Sequence, residues 1–396
     1  MEHSAFEVSF PAWLDDDFFL RVIREFTHDA GAQLCHSCRL HPGTKAGEHF
    51  ASVIYRTTIH YRSSRCKEAA LDVIMKIKPF QEGLKKAVLT DSDLFVREMR
   101  VYSEVLPQMA RRLAAIGETI NHPRFVYAAE TPHTILILED SGGKGWQTGQ
   151  YITSFQEVIP AIKTIAKFHA ASVVIQHDCN VVEKMRALDG MVKKSLQDLL
   201  HFMRSTDGFE QLISPVEKLQ ETLLEELIRN YGPSTRCLNV LVHGNFHSKN
   251  LLHQYTSDGQ IGDTMLVDYQ ICSWTTPAVD LYYLLDTIVD QSLKEQHGDE
   301  MIYLYHEEFS SLLRRLGYLG QVTSLLDLQI ELLQHGALEL FHYIALYPFR
   351  FVDRSKINFE QLLSGTAQNP AACSPVYKRV MKMVLTRFLH QGIMGK

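Results

Sequence analysis

The sequence has no run of basic residues longer than pairs such as Arg111–Arg112 and Arg314–Arg315, and its 40 Lys and Arg stand against 46 Asp and Glu for a net charge of −6. Nucleic acid is excluded as the main partner, because neutralising phosphates requires a basic surface. Long apolar runs are scarce: stretches such as Thr134–Leu138 fall far short of the roughly 18 residues a membrane span needs, so none is expected. The first residues, Met1–Glu7, lack the basic and apolar regions of a signal peptide. Seven scattered cysteines, an odd number, argue against a disulfide framework and for a reduced, cytoplasmic protein. Cys35-His-Ser-Cys38 with His41 nearby has half the spacing of a zinc site, but no second pair completes four ligands, so both thiols are read as free. The nineteen histidines contain no His-Glu-x-x-His, which disfavours a hydrolytic metal site. No fixed-period repeat occurs, removing solenoids and propellers.

What is present is a chain of 396 residues, 45% hydrophobic and 22% charged, enough for two to three structural units and a large core. Asp15–Asp17 before Phe18–Phe26 supplies an N-cap, first-turn carboxylates and helical apolar spacing, which predicts an opening helix. Phe50–Tyr61 and Leu71–Ile77 are β-branched and aromatic, predicting two paired strands. Asp93–Leu106 returns to helical spacing, with Phe95, Met99, Tyr102 and Leu106 on one side and Pro107 expected to end it. Phe125–Tyr127 and Thr134–Glu139 predict a further strand pair. Beyond the glycine-rich Ser141–Gly145, helical patterns dominate: Val158, Ile162, Ile165 and His169 on one stripe, then Leu196–Phe202, Val216–Tyr231, Met301–Leu316 and Leu325–Tyr347. The expected fold is α+β, with a strand-rich lobe over residues 1–140 and a larger helical lobe over 141–396.

The chemistry concentrates in Val240–His253 and Thr264–Gln270. Leu251–Tyr255 and Thr264–Asp268, with Asp258-Gly259 between, predict a hairpin that brings Asn250 and Asp268 to one end. A carboxylate beside an amide oxygen suits Mg²⁺ shared with substrate phosphates, although Asn and Asp also serve as N-caps and turn residues. Lys76 lies among Val73, Ile74, Met75 and Ile77, where its charge needs a partner. Strand alternation sets it on the face away from Val73, Met75 and Ile77, and Glu98 on the following helix is the natural counter-ion. Taken alone, the two also fit a buried structural ion pair. Gly43-Thr-Lys-Ala-Gly47 before a strand offers backbone N–H groups to phosphates. His169 reads as a hydrogen-bonded core histidine, and Asp280 after Pro277 as an anchor for the backbone of the His243–Asn250 segment. Leu338–Tyr347 fits plain core as well as an acceptor pocket.

In order along the chain, Gly47, Ser52, Lys76, Glu98, Leu138-Glu-Asp140, Ala166-Lys-Phe-His-Ala-Ala-Ser172, His243-Gly-Asn-x4-Asn250, Val267-Asp-Tyr-Gln270 and Thr276-Pro-Ala-Val-Asp-Leu281 resemble the ecdysteroid kinase-like family. These are CHK-type small-molecule kinases akin to choline and aminoglycoside kinases. The resemblance implies a bilobal protein-kinase-like fold, ATP and Mg²⁺ as cofactors, and transfer of the γ-phosphate to a hydroxyl of a small, steroid-like molecule by a monomer. It further implies that Lys76 holds the α/β-phosphates, Glu98 positions Lys76, Gly47 and Ser52 lie by the nucleotide, Glu139 and Asp140 pass beside the adenine, and Asn250 and Asp268 hold Mg²⁺.

One position departs from that pattern. The family carries His-Gly-Asp where this chain has His243-Gly244-Asn245, and the Asp is the residue expected to accept the substrate's proton. An amide is not basic near pH 7, so Asn245 cannot do so. Phosphoryl transfer depends largely on positioning and electrostatics, so activity need not vanish. His247 is a second candidate proton acceptor. The sequence therefore leaves a slowed kinase and a nucleotide- or ligand-binding pseudokinase as the two readings.

Overall fold

Asp15 decides where the first helix begins: its carboxylate accepts the Phe18 N–H at 2.8 Å, Asp16 and Asp17 follow in the first turn, and α1 runs Asp16–Thr27 to a left-handed cap at His28. The computed structural model describes residues 10–43, 53–78, 93–175, 186, 188–351 and 374–394. They divide into two compact units, one of Met1–Ser103 with Pro123–Trp146, the other of Glu104–His122 with Gln147–Lys396.

The first unit is built on an antiparallel sheet. Its strands are β1 (Gln33–Leu34), β2 (His41–Pro42), β3 (Val53–Ser63), β4 (Cys66–Ile77), β5 (Phe125–Ala129) and β6 (Ile135–Glu139), ordered β1-β3-β4-β6-β5 with β2 also on β3. The two expected strand pairs both form. Period-two alternation turns Tyr55, Ile59, Val73, Met75, Ile135 and Ile137 toward Phe18, Phe19, Val22 and Ile23 of α1, giving one core. Ile54 pairs with Lys76 across the opposite face. Cys35 and Cys38 are free. Burial, then the Asp16 carboxylate, pushes the Cys38 thiol up to about 12, so it stays protonated at neutral pH.

The expectation that Pro107 ends a helix is corrected. After α2 (Asp93–Arg100), a π-helical turn over Val101–Val105 leads into α3 (Leu106–Ala114), with Pro107 in its first turn. The chain is helical on both sides of Pro107, and the wider π turn before it lets the helix run on past a residue that has no N–H to give. Phe95, Met99, Tyr102 and Leu106 are all buried, as their spacing requires.

The second unit is mainly helical: α3, α4 (Phe155–Ile175), α5 (Asp189–Arg204), α6 (Glu210–Asn230), α7 (Ala278–Tyr283), α8 (Gln291–Arg315), α9 (Leu325–Gln334), α10 (Gly336–Phe341) and α11 (Pro375–His390). Two small antiparallel sheets accompany them, β10-β9-β7 and β11-β8, from β7 (Gln147–Thr148), β8 (Val240–Val242), β9 (Leu251–Tyr255), β10 (Ile261–Leu266) and β11 (Ser273–Thr275). The α4 helix is long and apolar enough to cross a membrane, but 67% of that stretch is buried inside the unit, as in a core helix. Glu157, Lys163 and Lys167 interrupt it in sequence, which is why no apolar run announces it. The pattern Leu325–Tyr347 is not one helix. It breaks at His335, and α10 opens at Gly336, where a Cβ would lie 2.2 Å from Ile393 Cδ1.

The second unit holds a closely paired lysine. Lys294 Nζ bonds Asp286, Glu339 at 2.6 Å and Tyr343 at 3.1 Å, and Arg387 bonds the same Glu339 oxygen at 2.6 Å. Burial alone would lower the Lys294 pKa, but the two carboxylates hold it well above its ordinary value. His253, buried on β9 with Nδ1 3.0 Å from Thr264 Oγ1, has no such compensation, and burial lowers its pKa from 6.5 to about 4.

The unfolded chain therefore binds a proton at His253 that the folded chain refuses. Its contribution to stability is complete above pH 6.5 and lost as pH falls toward about 4. Urea unfolding at pH 7.5 and 4.5 should differ by about 2 to 3 kcal/mol on this account, with a smaller difference in His253→Asn. An equal difference in both proteins would remove His253 as the cause.

Candidate active site

Lys76 sits near the end of β4, opposite Leu136 of β6 as well as Ile54. Its ammonium contacts both oxygens of Glu98 at 2.7 Å, and the two residues are 8% and 0% exposed. Such a pair persists in a dry environment because each charge satisfies the other; removing one leaves an uncompensated ion. At the end of β6 the Glu139 N–H donates to Arg124 O at 2.9 Å and the Asp140 N–H to Asp72 O at 2.8 Å. The Glu139 carboxylate pairs with Lys144 at 2.8 Å, while Asp140 pairs with Arg56 at 3.3 Å and accepts the Gly142 N–H. Gly47 and Ser52 lie outside the described residues.

In the second unit the His243–Asn250 segment follows β8 as a tight turn. Gly244 has φ +74°, and a Cβ there would lie 2.5 Å from the Ile271 carbonyl oxygen, so only glycine fits. Asp280, fully buried on α7, accepts the backbone N–H groups of His243 at 2.6 Å and Gly244 at 2.9 Å. Its third donor is His169 Nε2 at 3.0 Å, and His169 Nδ1 in turn meets Tyr305 OH at 2.8 Å. With Nε2–H given to the carboxylate, Nδ1 accepts from the tyrosine. Ser172 of the same helix accepts the Leu241 N–H at 2.9 Å, which ties α4 to β8.

His243 is likewise buried. Its Nε2–H donates to Val267 O at 3.0 Å and its Nδ1 accepts from the Asn245 N–H at 3.3 Å. Burial lowers its pKa against the opposing pull of Asp280 and Asp268, so the ring is neutral and structural at pH 7. Asn245 is half-buried, and its backbone carbonyl accepts from Asn250 Nδ2 at 3.0 Å and the His247 N–H at 2.9 Å.

The expected hairpin forms, pairing Leu251 with Leu266. Beyond that pair the Val267 N–H donates to Asn250 O at 3.0 Å, so Asn250 adjoins the backbone leading into Asp268. The Asn250 amide nitrogen is engaged with residue 245, which orients its carbonyl oxygen as the other end of the group. Asp268 has φ +70°, a left-handed conformation rare for a non-glycine residue and often found where a side chain must be aimed. Sequence reasoning named Asn250, Asp268 and Asp280, and Ser172 only as a motif position, but not Tyr305 or this left-handed backbone. Tyr305 is one aromatic among many in a helical pattern, with no local signal.

A sequence profile of the ecdysteroid kinase-like family matches residues 46–318. The chain belongs to the ecdysteroid kinase-like family. No curated protein matches its sequence. Among solved structures, a choline kinase from Cryptosporidium parvum Iowa II is 11% identical, with 96% of this chain and 98% of that chain covered and a TM-score of 0.43. A glucosamine kinase is 14% identical, covering 96% and 85%, with a TM-score of 0.33. Lys76, Glu98, the His243–Asn250 turn, Asp268 and Asp280 all fall inside the stretch matched to the ecdysteroid kinase-like family.

Two stability outcomes follow. Glu98→Ala should destabilise the chain by about 3 to 5 kcal/mol by removing the carboxylate that both Lys76 contacts reach, whereas the double change Lys76→Met with Glu98→Leu should recover most of that loss in chemical unfolding. Gly244→Ala should lower the melting temperature far more than Gly259→Ala, since both have positive φ but only Gly244 meets backbone. Equal shifts would show that conformation alone, and not the Ile271 carbonyl, selects glycine at 244.

Proposed function

We propose that this chain is an ATP- and Mg²⁺-dependent phosphotransferase that moves the γ-phosphate of ATP to a hydroxyl of a small molecule, with a steroid alcohol as the first acceptor class to test, and that Asn245 slows it. The reading rests most on Asp268, held in a left-handed conformation just beyond the end of a hairpin whose other strand begins directly after Asn250. No group of three or more His, Cys, Asp or Glu placed for a metal occurs among the described residues. A dedicated protein cage is therefore not the design supported here; one carboxylate and one amide oxygen are hard donors that fit Mg²⁺ completed by phosphate oxygens and water. When bound, that ion would offset charge on the transferring group.

The remaining roles belong to side chains. Lys76, kept charged and oriented by Glu98, would bind the α/β-phosphates. Asp280 holds the turn that carries Asn245. The Asn245 side chain can orient a hydroxyl by accepting its hydrogen bond, but it cannot remove the proton. Losing one general base costs about 10²- to 10⁴-fold in rate. A second reading, a silent nucleotide- or ligand-binding pseudokinase, is favoured by that same asparagine.

Transfer from γ-labelled ATP with Mg²⁺ to a panel of steroid and small hydroxyl acceptors, run on native chain, Asn245→Asp and Asp268→Ala, separates them. Slow transfer by native chain, raised about 10²-fold or more in Asn245→Asp and abolished in Asp268→Ala, is the expected result. Activity in Asn245→Asp alone would establish the pseudokinase. ATP with Mg²⁺ at about 100 times its dissociation constant should also stabilise the fold by about 2.7 kcal/mol. No stabilisation and no transfer by any of the three proteins would overturn both readings.

A further inference from the structure

Burial alternates along the turn that carries Asn245: Phe246 is fully buried, while Asn245 and His247 on either side of it are half-buried. The His247 N–H donates to Asn245 O at 2.9 Å, a bond that closes over three residues and brings the two flanking side chains close together. On its other side His247 is tied to Asn250, whose N–H donates to His247 O at 2.8 Å. Along the turn, the ring therefore stands between the residue that would orient the acceptor hydroxyl and a residue that would help hold Mg²⁺.

The backbone of His247 is extended, with φ −121° and ψ 164°, and its Nδ1 accepts the Lys249 N–H at 3.2 Å, which caps the short turn Ser248–Asn250. A ring nitrogen that accepts an N–H carries no proton, so the one proton of the neutral imidazole is on Nε2. Held this way, His247 is not the proton acceptor that its place in the sequence made it a candidate for. Nδ1 is engaged, and Nε2–H donates. A donor has its own use beside a transferring phosphoryl group, because negative charge is spread over the equatorial oxygens of the loose transition state and fixed N–H groups stabilise it there.

We propose that His247 is a catalytic residue that donates its Nε2–H to an equatorial oxygen of the transferring phosphoryl group. The inference rests on the phosphotransferase reading given above. In the step, the acceptor oxygen forms a bond to the γ-phosphorus as the bond from that phosphorus to the bridging oxygen breaks, and ADP leaves with the electron pair. The hydroxyl proton, which neither Asn245 nor His247 takes, passes to an oxygen of the transferred phosphoryl group.

Two substitutions separate the roles of the two ring nitrogens. His247→Asn keeps an acceptor for the Lys249 N–H and loses the Nε2 donor, whereas His247→Gln sets an amide N–H near the Nε2 position and gives up the cap. Transfer from γ-labelled ATP with Mg²⁺ to the acceptor panel is measured with each change in native chain and in Asn245→Asp. His247→Asn should lower kcat about 10²-fold, and His247→Gln should recover most of that loss. A residue that only caps the turn would give the reverse order, and a general base would leave both variants equally slow; either result overturns the proposal. Nitrogen NMR of the full chain labelled at histidine, with the His247 signals identified by their loss in His247→Asn, reads the ring without using activity. The proton should lie on Nε2, and a proton on Nδ1 overturns the proposal. Transfer indifferent to both His247 changes overturns this inference alone, while no transfer by any of these proteins overturns the phosphotransferase reading together with it.

Discussion

The Asp280 carboxylate is the interaction on which the loop of the second unit depends. A buried anion is tolerated only when its lone pairs are filled, and Asp280 fills them with two consecutive backbone N–H groups and a histidine. Those two N–H groups can point at one carboxylate only if the chain turns sharply between them, which requires glycine at 244. His169 and Tyr305 extend the same network onto α4 and α8. One charge thus joins three helices to the turn that presents Asn245.

The first unit solves the burial of charge differently. Lys76 and Glu98 neutralise each other across the gap between a strand and a helix, so the lysine keeps its charge without a solvent shell. The strain at Asp268 completes the contrast. An L-residue held at φ +70° stores conformational energy that the adjoining hairpin and the His243–Val267 bond must sustain.

Asn245 shows how a frame and its chemistry separate. The contacts that shape the turn use the backbone of residue 245: its carbonyl receives Asn250 Nδ2 and its N–H meets His243 Nδ1. Aspartate and asparagine have the same shape, so either fits this backbone. What changes is basicity, and with it the capacity to take a proton while still accepting a hydrogen bond. The frame of this turn is therefore compatible with a residue at 245 that cannot take a proton.

Much of this was legible in sequence because the determining physics is local. β-Branched and aromatic content announced β3 and β4, and alternation set Lys76 opposite the core face; the Asp15 cap and apolar period announced α1; the turn residues at 258 and 259 put Asn250 and Asp268 at one end of a hairpin. Two local readings failed where an accommodation was available: Pro107 follows a π turn that lets the helix continue, and Leu325–Tyr347 breaks at His335, where Gly336 lies against Ile393. Residue types at fixed spacing determined the sheet, the helices and the candidate chemistry. Tertiary structure alone decided that Tyr305 orients His169, that Ser172 holds β8, and that Asp268 is left-handed. Each of these joins groups that are distant in the chain or sets a backbone angle, and neither leaves a period in the sequence.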